Sequence, residues 1–285
     1  MSCQIQGSPE WIEMRRKFIG ASDVSIIMGM SPYSTPHQLW EVKQGIREIV
    51  VTSAMTRGTE MEAPAREAYE AQMGGKKFPP RVVFHKEHKF MMCSLDGLNE
   101  ELNLAVEIKN CKLEDHQKAK DGEVPSHFYS QLQHQMACLG HDKIHYWSFH
   151  SGKGVCVSVQ RDDAYIEKMI EKEKFFFENY IEGFKEPPLT DRDYITREDD
   201  EWKALVYKWK IAKEKLKEAE EVESLIRDAI IAESKEQNAI GCGIRVTKSL
   251  VRGPIDYSSI PELIGVNLEQ YRKTASTRWR LSGHD

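Results

Sequence analysis

The most informative stretch of this chain is Ser94-Leu95-Asp96-Gly97, followed by Val106-Glu107-Ile108-Lys109. Glu107 and Lys109 lie two residues apart on a predicted strand, so their side chains leave the same face. Asp96 ends the preceding predicted strand, where a short turn can return it beside Glu107. We therefore expect two carboxylates and one ammonium group to converge at one edge of a sheet.

Oxygen ligands of this kind suit Mg²⁺, with Mn²⁺ as a substitute. The backbone carbonyl of Ile108 is close enough along the strand to be a further ligand. Lys109 can then position or deprotonate an attacking water that the metal makes more acidic. The same pattern is also typical of a surface strand with a solvated Glu/Lys pair. The Asp-Gly step before it favours a site without deciding between the two.

The flanking sequence predicts helices around short strands. The longer helical segments are residues 54–73, 126–139 and 162–184. The strand candidates are residues 81–84, 89–95 and 104–109, and residues 143–149 and 155–159 form a predicted hairpin. Ser22-Asp23 can cap a short helix over residues 24–28. These elements predict an α/β core with a mixed central sheet flanked by helices.

Pro187-Pro188 marks the predicted boundary between a core over residues 1–188 and a C-terminal part over residues 189–285. Residues 198–237 form a charged helical segment with an apolar stripe at coiled-coil-like spacing, which predicts an arm with one packing face. The stripe comprises Leu205, Trp209, Ala212, Leu216 and Ala219. The small module after this arm, residues 241–285, holds 7 basic and 4 acidic residues and is interspersed with aromatic side chains. These are Tyr257, Tyr271 and Trp279. Such a module can touch a phosphate backbone, and an ordinary surface fits it equally well.

Composition excludes several classes of protein. The 285 residues carry a net charge of −5, so this is not a histone-like polycation. The six cysteines show no CxxC spacing and the histidines no HExxH spacing, which disfavours zinc and iron–sulfur sites. Since no signal peptide or membrane-spanning run is visible, we expect a cytoplasmic protein without membrane contact.

Four blocks of sequence occur in a fixed order. They are residues 11–23, residues 57–69, the Asp96/Glu107/Lys109 block and residues 129–136. Together they resemble the YqaJ-type viral recombinase family, related to phage lambda exonuclease within the PD-(D/E)xK nuclease superfamily. Leu95 stands where the family's motif usually has proline, which is not a ligand.

The resemblance implies a restriction-endonuclease-like core and a metal-dependent deoxyribonuclease that degrades duplex DNA from its ends, 5′ to 3′. It assigns Asp96 and Glu107 as metal ligands and Lys109 as the catalytic lysine. Glu62 would reach the same metal directly or through water, and Gln131 would orient the attacking water or the scissile phosphate. From the residues alone, a solvated helix face is the preferred interpretation of both Glu62 and Gln131.

The resemblance also implies that Arg15 and Ser22 hold the terminal 5′-phosphate of a DNA end. A guanidinium group and a hydroxyl at a helix N-terminus suit a phosphate dianion. A plain helix cap is the alternative role of Ser22. His134 is expected on a helix face beside Gln131.

Family resemblance further implies a phage or prophage protein of a bacterial host cell. Its partners would be double-stranded DNA ends and a single-strand annealing protein, and its assembly a homo-oligomer, a trimer in relatives of the lambda type. Two other functions stay open from sequence. One is an endonuclease of the same superfamily, and the other is a non-catalytic scaffold that binds DNA ends.

Overall fold

The computed structural model describes residues 9–249, 260–263 and 266. It divides into two compact units, one ending at Tyr194 and the other beginning at Ile195. The first unit holds seven α-helices and seven strands among the residues that the structure describes. The helices are α1 (Pro9–Arg16), α2 (Val24–Ile27), α3 (Pro36–Lys43), α4 (Ser53–Gln72), α5 (Leu113–Lys120), α6 (Ser126–Leu139) and α7 (Asp163–Phe176). The strands are β1 (Ile19–Gly20), β2 (Arg81–Phe84), β3 (Met91–Leu95), β4 (Gly97–Asn99), β5 (Leu104–Asn110), β6 (Lys143–His150) and β7 (Lys153–Gln160).

Two mixed sheets organise this unit. The first has the order β1-β3-β2, with β1 parallel and β2 antiparallel to β3. The second has the order β4-β5-β6-β7, in which β5 and β6 are parallel and the outer pairs are antiparallel. The predicted α/β fold with mixed sheets flanked by helices is therefore confirmed.

The chain passes from the first sheet to the second at Asp96, between β3 and β4. Gly97 permits this passage, because a Cβ atom there would lie 2.8 Å from Cβ of Phe78 and from Cγ1 of Val106. Such contacts are too close for any side chain, so only glycine fits between these neighbours. The Asp-Gly step thereby fixes where the Asp96 side chain leaves the backbone.

Helix α6 packs across the core. Leu132 and Met136 are fully buried among apolar residues of β3, including Met91. The opposite end of the core is aromatic, where Tyr69 of α4 meets Phe78 and Trp147 edge-on. This packing holds α4, β5 and α6 in fixed positions around the end of β3.

Several local predictions differ from the structure. Ser22 and Asp23 do not cap α2, because the Ser22 hydroxyl accepts a hydrogen bond from Arg15 and the Asp23 carboxylate accepts one from Gly20 N–H. The segment predicted as one helix over 162–184 changes to a π-helix at Phe177–Glu182. Helix α5 was not predicted, although acidic residues in its first turn and lysines in its last are typical of a helix.

The first unit extends past the boundary predicted at residue 188. Asp193 hydrogen-bonds to the Thr35 hydroxyl, and Arg192 donates to the Ser31 carbonyl at 3.0 Å. These contacts hold the segment after Pro188 against the core.

The second unit contains the long helix α8 (Asp200–Glu233) and the hairpin of β8 (Ala239–Gly241) and β9 (Ile244–Val246). A 3₁₀ turn follows at Pro261–Leu263. Most of the predicted basic module, including Tyr257, Tyr271 and Trp279, lies outside the described residues. No helix in the described ranges is long and apolar enough to cross a membrane.

Candidate active site

Asp96 and β5 are joined by a backbone contact. The Asp96 carboxylate accepts a hydrogen bond from Ile108 N–H at 2.8 Å. Strand β4 pairs with β5 only as far as Val106, so this side of β5 is open beside Ile108. Since N–H and C=O of one strand residue point to the same side, the Ile108 carbonyl faces the same open edge.

Glu107 is the centre of the cluster, and its side chain is only 3% exposed. Its Oε1 accepts hydrogen bonds from Lys109 Nζ at 2.5 Å and from Gln131 Nε2 at 2.7 Å. Its Oε2 accepts one from Gln135 Nε2 at 2.5 Å. A buried carboxylate needs such donors, because burial without them carries a large desolvation penalty.

Lys109 is held from three sides. Its ammonium group contacts Glu107 and lies 5.2 Å from the centre of the Phe128 ring. It also interacts electrostatically with the Asp96 carboxylate. Burial alone would lower the pKa of Lys109, but the two carboxylates outweigh it and raise that pKa above its usual value. Lys109 is therefore an ammonium group here. It can donate hydrogen bonds and stabilise negative charge, whereas accepting a proton requires it to lose one first.

The two carboxylates repel each other. Burial raises the pKa of Asp96 well above its usual value, and the nearby charge of Glu107 raises it further. When both are ionised, Asp96 and Glu107 carry two negative charges beside β5, and the single positive charge of Lys109 cannot neutralise both.

That electrostatic condition fits a divalent cation. The available donors are the carboxylates of Asp96 and Glu107 and the carbonyl of Ile108, all hard oxygens of the kind Mg²⁺ prefers. Within the described ranges, no cluster of three or more His, Cys, Asp or Glu side chains is arranged to hold a metal. The donor set here is smaller, with two carboxylates and a carbonyl, and leaves room for water and phosphate oxygens.

Glu62 approaches this cluster through Arg66. The Glu62 carboxylate forms an ion pair with Arg66, one turn later on α4, and Arg66 Nε donates to the Asp96 carbonyl at 2.8 Å. The charge of Glu62 contributes to the raised pKa of Asp96. Arg66 is the link that the sequence did not reveal.

Gln131 lies at the cluster, and Gln135 was missed. The two residues are four apart on α6 and share one helix face, which is the signal that could have found the second. Gln135 is fully buried, and no donor in the described part of the chain reaches its Oε1. Gln133, between them, points away and bonds to the Gln160 carbonyl and Asp162 N–H.

Arg15 and Ser22 form a second group. Arg15 Nη2 donates to the Ser22 hydroxyl at 2.6 Å and lies 3.3 Å from the Asp23 carboxylate. Lys43 contacts the other Asp23 oxygen at 2.5 Å. Burial would raise the pKa of Asp23, but Lys43 and Arg15 lower it, so the carboxylate is ionised. No hydrogen bond among the described residues joins this group to Glu107.

His134 differs from its prediction as a helix-face residue, since it is fully buried. Its Nδ1 lies 2.9 Å from Glu173 Oε1 and its Nε2 lies 2.9 Å from the Met92 carbonyl. Both partners are acceptors, so both ring nitrogens carry protons and the ring is positively charged. Burial acts to lower the pKa of His134, but Glu173 raises it to about 9.

Comparisons with known proteins find one domain match and several similar proteins. The YqaJ-like viral recombinase domain matches residues 10–142. The uncharacterized protein YqaJ of Bacillus subtilis is 28% identical over 188 residues, which are 63% of this chain and 58% of that protein. The matched part thus spans little more than half of the length of this relative.

Solved structures of an alkaline exonuclease, LHK-Exo of Laribacter hongkongensis, share the fold. The complex with dAMP superimposes with a TM-score of 0.53 at 25% identity, covering 62% of this chain and 96% of the other. A second structure of LHK-Exo gives a TM-score of 0.52 with the same coverage. The domain match over residues 10–142 contains the cluster around Glu107 and the group around Arg15. Residues 10–142 of this chain therefore match the YqaJ-like viral recombinase domain, and its fold is similar to that of an alkaline exonuclease.

Proposed function

We propose that this protein is a Mg²⁺-dependent deoxyribonuclease that degrades linear double-stranded DNA from 5′ to 3′ and leaves 3′ overhangs. The observation that carries the proposal is the buried Glu107 carboxylate, bonded by Lys109 and Gln131 beside Asp96. Similarity to LHK-Exo supports it, because that protein is an alkaline exonuclease. The dAMP bound to LHK-Exo is a mononucleotide of the kind that such an enzyme releases.

Hydrolysis joins the oxygen of one water to the scissile phosphorus and breaks the bond to the neighbouring 3′ oxygen. One water proton ends on that 3′ oxygen, which leaves as the 3′-hydroxyl of the released nucleotide. The scissile phosphate stays on the shortened strand as its new 5′-phosphate. Lys109, as an ammonium group, stabilises the negative charge that develops on the phosphate oxygens. Gln131 orients the water or the phosphate through its amide.

Asp96, Glu107 and the Ile108 carbonyl would hold Mg²⁺, with Mn²⁺ as a substitute, and Glu62 would contact the ion directly or through water. When bound, the metal supplies Lewis-acid stabilisation and makes its water more acidic. Glu107 would remain anchored through Gln135, which keeps its carboxylate at the same edge of β5 as Asp96.

Arg15 and Ser22 would receive the terminal 5′-phosphate of the DNA end. The guanidinium group supplies charge and two parallel donors, and the hydroxyl supplies a third donor. Asp23 and Lys43 hold Arg15 in place before DNA arrives. A preference for phosphorylated ends follows, because a 5′-hydroxyl offers no charge to this group.

The remaining parts of the proposal concern the setting of the reaction. We infer a phage or prophage enzyme in the cytoplasm of a bacterial host cell. The 3′ overhangs would pass to a single-strand annealing protein, and the enzyme would act as a homo-oligomer, a trimer by family resemblance.

A single experiment separates this function from its rivals. Purified protein is incubated in Mg²⁺ with one duplex in two forms, linear and covalently closed circular, the linear form carrying a 5′ or a 3′ label. An end-dependent 5′-to-3′ nuclease releases the 5′ label first and leaves the circle intact. Cleavage of the circle would identify an endonuclease, and binding of linear DNA without release would identify a scaffold.

A further inference from the structure

Helix α8 presents an apolar stripe that the described part of the chain does not cover. No residue of α8 is buried. Trp202, Leu205, Leu216 and Ile226 lie at the first and fourth positions of heptads, and their exposed fractions are 41%, 57%, 58% and 55%. An apolar surface of this extent on a soluble unit is typical of an interaction site.

After an acidic first turn at Asp200 and Glu201, the charges of α8 are separated by sign along the helix. The half over residues 203–217 is basic, and the half over residues 218–233 is acidic. The basic side chains are Lys203, Lys208, Lys210, Lys213, Lys215 and Lys217, beside Glu214. The acidic side chains are Glu218, Glu220, Glu221, Glu223, Asp228 and Glu233, beside Arg227. This distribution opposes the helix dipole at the C-terminal end, where Glu233 is unfavourable.

Few of these charges are paired within the helix. Lys217 lies 3.8 Å from Glu221, and Arg227 lies 3.1 Å from Glu223. In the described ranges, the other five lysines of the basic half have no carboxylate within ion-pair distance. One of them, Lys213, lies over the ring of Trp209 at 4.9 Å. Both halves therefore keep most of their charge available for a partner.

An open groove runs along the acidic half of α8. It has a volume of about 1700 Å³ and lies between α8 and the hairpin β8–β9. Its apolar lining includes Ile226 and Ile230 from the helix and Ile244 and Val246 from β9. The groove thus combines an apolar floor with charged side chains of both signs, among which Glu218, Glu223 and Asp228 are acidic residues of α8.

We propose that this groove receives the basic half of α8 from a second copy of the chain, with the two helices antiparallel. The basic half has the complementary features, since it carries large apolar side chains on one face and lysines beside them. Each copy then contributes one groove and one inserted half, which closes the contact by a two-fold axis. A parallel arrangement is disfavoured because it would place halves of like charge side by side.

The heptad positions define one register for this pairing. Leu216 of one copy faces Ala219 of the other, and Trp209 faces Ile226 in the groove. On the flank of the same interface, Lys213 lies beside Glu220 of the second copy. The two-fold axis repeats this pair, so one substitution changes two contacts.

The test uses the full chain and charge reversal at this pair. Lys213→Glu or Glu220→Lys alone converts both contacts into repulsions and should raise the dissociation constant of the α8 pairing about tenfold. Mixing the two variants in equal amounts restores both attractions between unlike copies. Sedimentation at low salt should therefore show half as many chains per particle for either variant as for the wild type or the mixture.

Lys210→Glu is the matched control, because it makes the same charge change on the outer face of the helix and should leave the assembly intact. Circular dichroism of each variant verifies that α8 is still helical. Equal masses for the wild type and both single variants would overturn the proposal and assign the stripe to another occupant, such as DNA. It would also be overturned if the mixture failed to reassemble, or if Lys210→Glu disrupted the particle as much as Lys213→Glu.

Discussion

Gln135 Nε2 donates a hydrogen bond of 2.5 Å to Glu107 Oε2, at a place where neither side chain is more than 3% exposed. Gln131, one turn earlier, binds the other oxygen of the same carboxylate. Helix α6 therefore holds both oxygens of Glu107 and fixes the carboxylate against β5. The orientation of the carboxylate that we propose as a metal ligand thus depends on Gln135.

Replacing Gln135 should separate this positioning role from a general loss of packing. Gln135→Ala leaves Glu107 Oε2 buried without a donor, so the free energy of unfolding should fall by about 1–3 kcal/mol. Manganese affinity, measured by calorimetry, should fall with it. Gln133→Ala is the control, since Gln133 is equally buried but bonds to residues 160 and 162. A similar loss of manganese affinity in both variants would contradict the positioning role.

Asp96→Asn should abolish DNA hydrolysis and make the metal-free protein more stable. A raised acid pKa means that the ionised form is unfavourable in the folded protein at neutral pH, so the neutral amide should stabilise the metal-free protein by about 1 kcal/mol. The same change removes a metal ligand and should abolish hydrolysis. Thermal melts should show Mg²⁺ stabilising the wild type but not the variant.

The exposed Asp121→Asn is the control for that experiment, because it should change neither the melt nor its response to Mg²⁺. Wild-type hydrolysis by Asp96→Asn would remove Asp96 from the set of ligands.

The buried pair of His134 and Glu173 should make stability depend on alkaline pH. The folded pKa of His134, about 9, lies above its ordinary value of 6.5, so its contribution is complete below pH 6.5 and is lost as pH rises through 9. That contribution is on the order of 2–3 kcal/mol. Urea unfolding of the wild type and His134→Gln, at pH 6 and pH 9.5, measures it as the difference between the proteins.

His141→Gln provides a contrast, because burial lowers the pKa of His141 and reverses the sign of its pH dependence. If the free energy of unfolding fell equally for the wild type and His134→Gln between pH 6 and pH 9.5, His134 and Glu173 would not form a charged pair.

Recognition of the DNA end can be tested at Arg15. The wild type should cleave 5′-phosphorylated duplexes about ten- to a hundredfold faster than 5′-hydroxyl duplexes, because the guanidinium contact is charge-assisted. Arg15→Ala should slow only the phosphorylated substrate, and Arg15→Lys should restore part of the preference. Arg47→Ala, an arginine paired with Glu41, is the control. An unchanged ratio in Arg15→Ala would make Arg15 an ordinary ion-pair residue.

Local sequence patterns predicted the elements that carry the cluster. Alternation placed Glu107 and Lys109 on one face of a strand, and the Asp-Gly step indicated where the preceding strand ends. Strand β2 was predicted with its observed bounds, Arg81–Phe84. These features follow from the two-residue period of a strand and from turn chemistry, both of which act over a few residues.

Local sequence patterns could not predict contacts between residues that are far apart in the chain. His134 was predicted only as a helix-face residue, because Glu173 is 39 positions later in the chain and the packing of α7 brings the two together. Arg66 reaches the Asp96 carbonyl across a separation of 30 positions. Short strands such as those of the hairpin β8–β9 carry too little pattern to be separated from a loop.

The rate of nucleotide release by Lys109→Ala measures whether the cluster of Asp96, Glu107 and Lys109 is the nuclease centre. Linear, 5′-phosphorylated duplex is incubated in Mg²⁺ with the wild type or the variant. The two proteins are compared at equal DNA occupancy, after their circular dichroism spectra have been shown to be the same. We expect the wild type to release acid-soluble nucleotides and the variant to be slower by about 10²–10³-fold, the loss expected when a charge-stabilising donor is removed. Equal rates for the two proteins would contradict the assignment of the Asp96, Glu107 and Lys109 cluster as the nuclease centre.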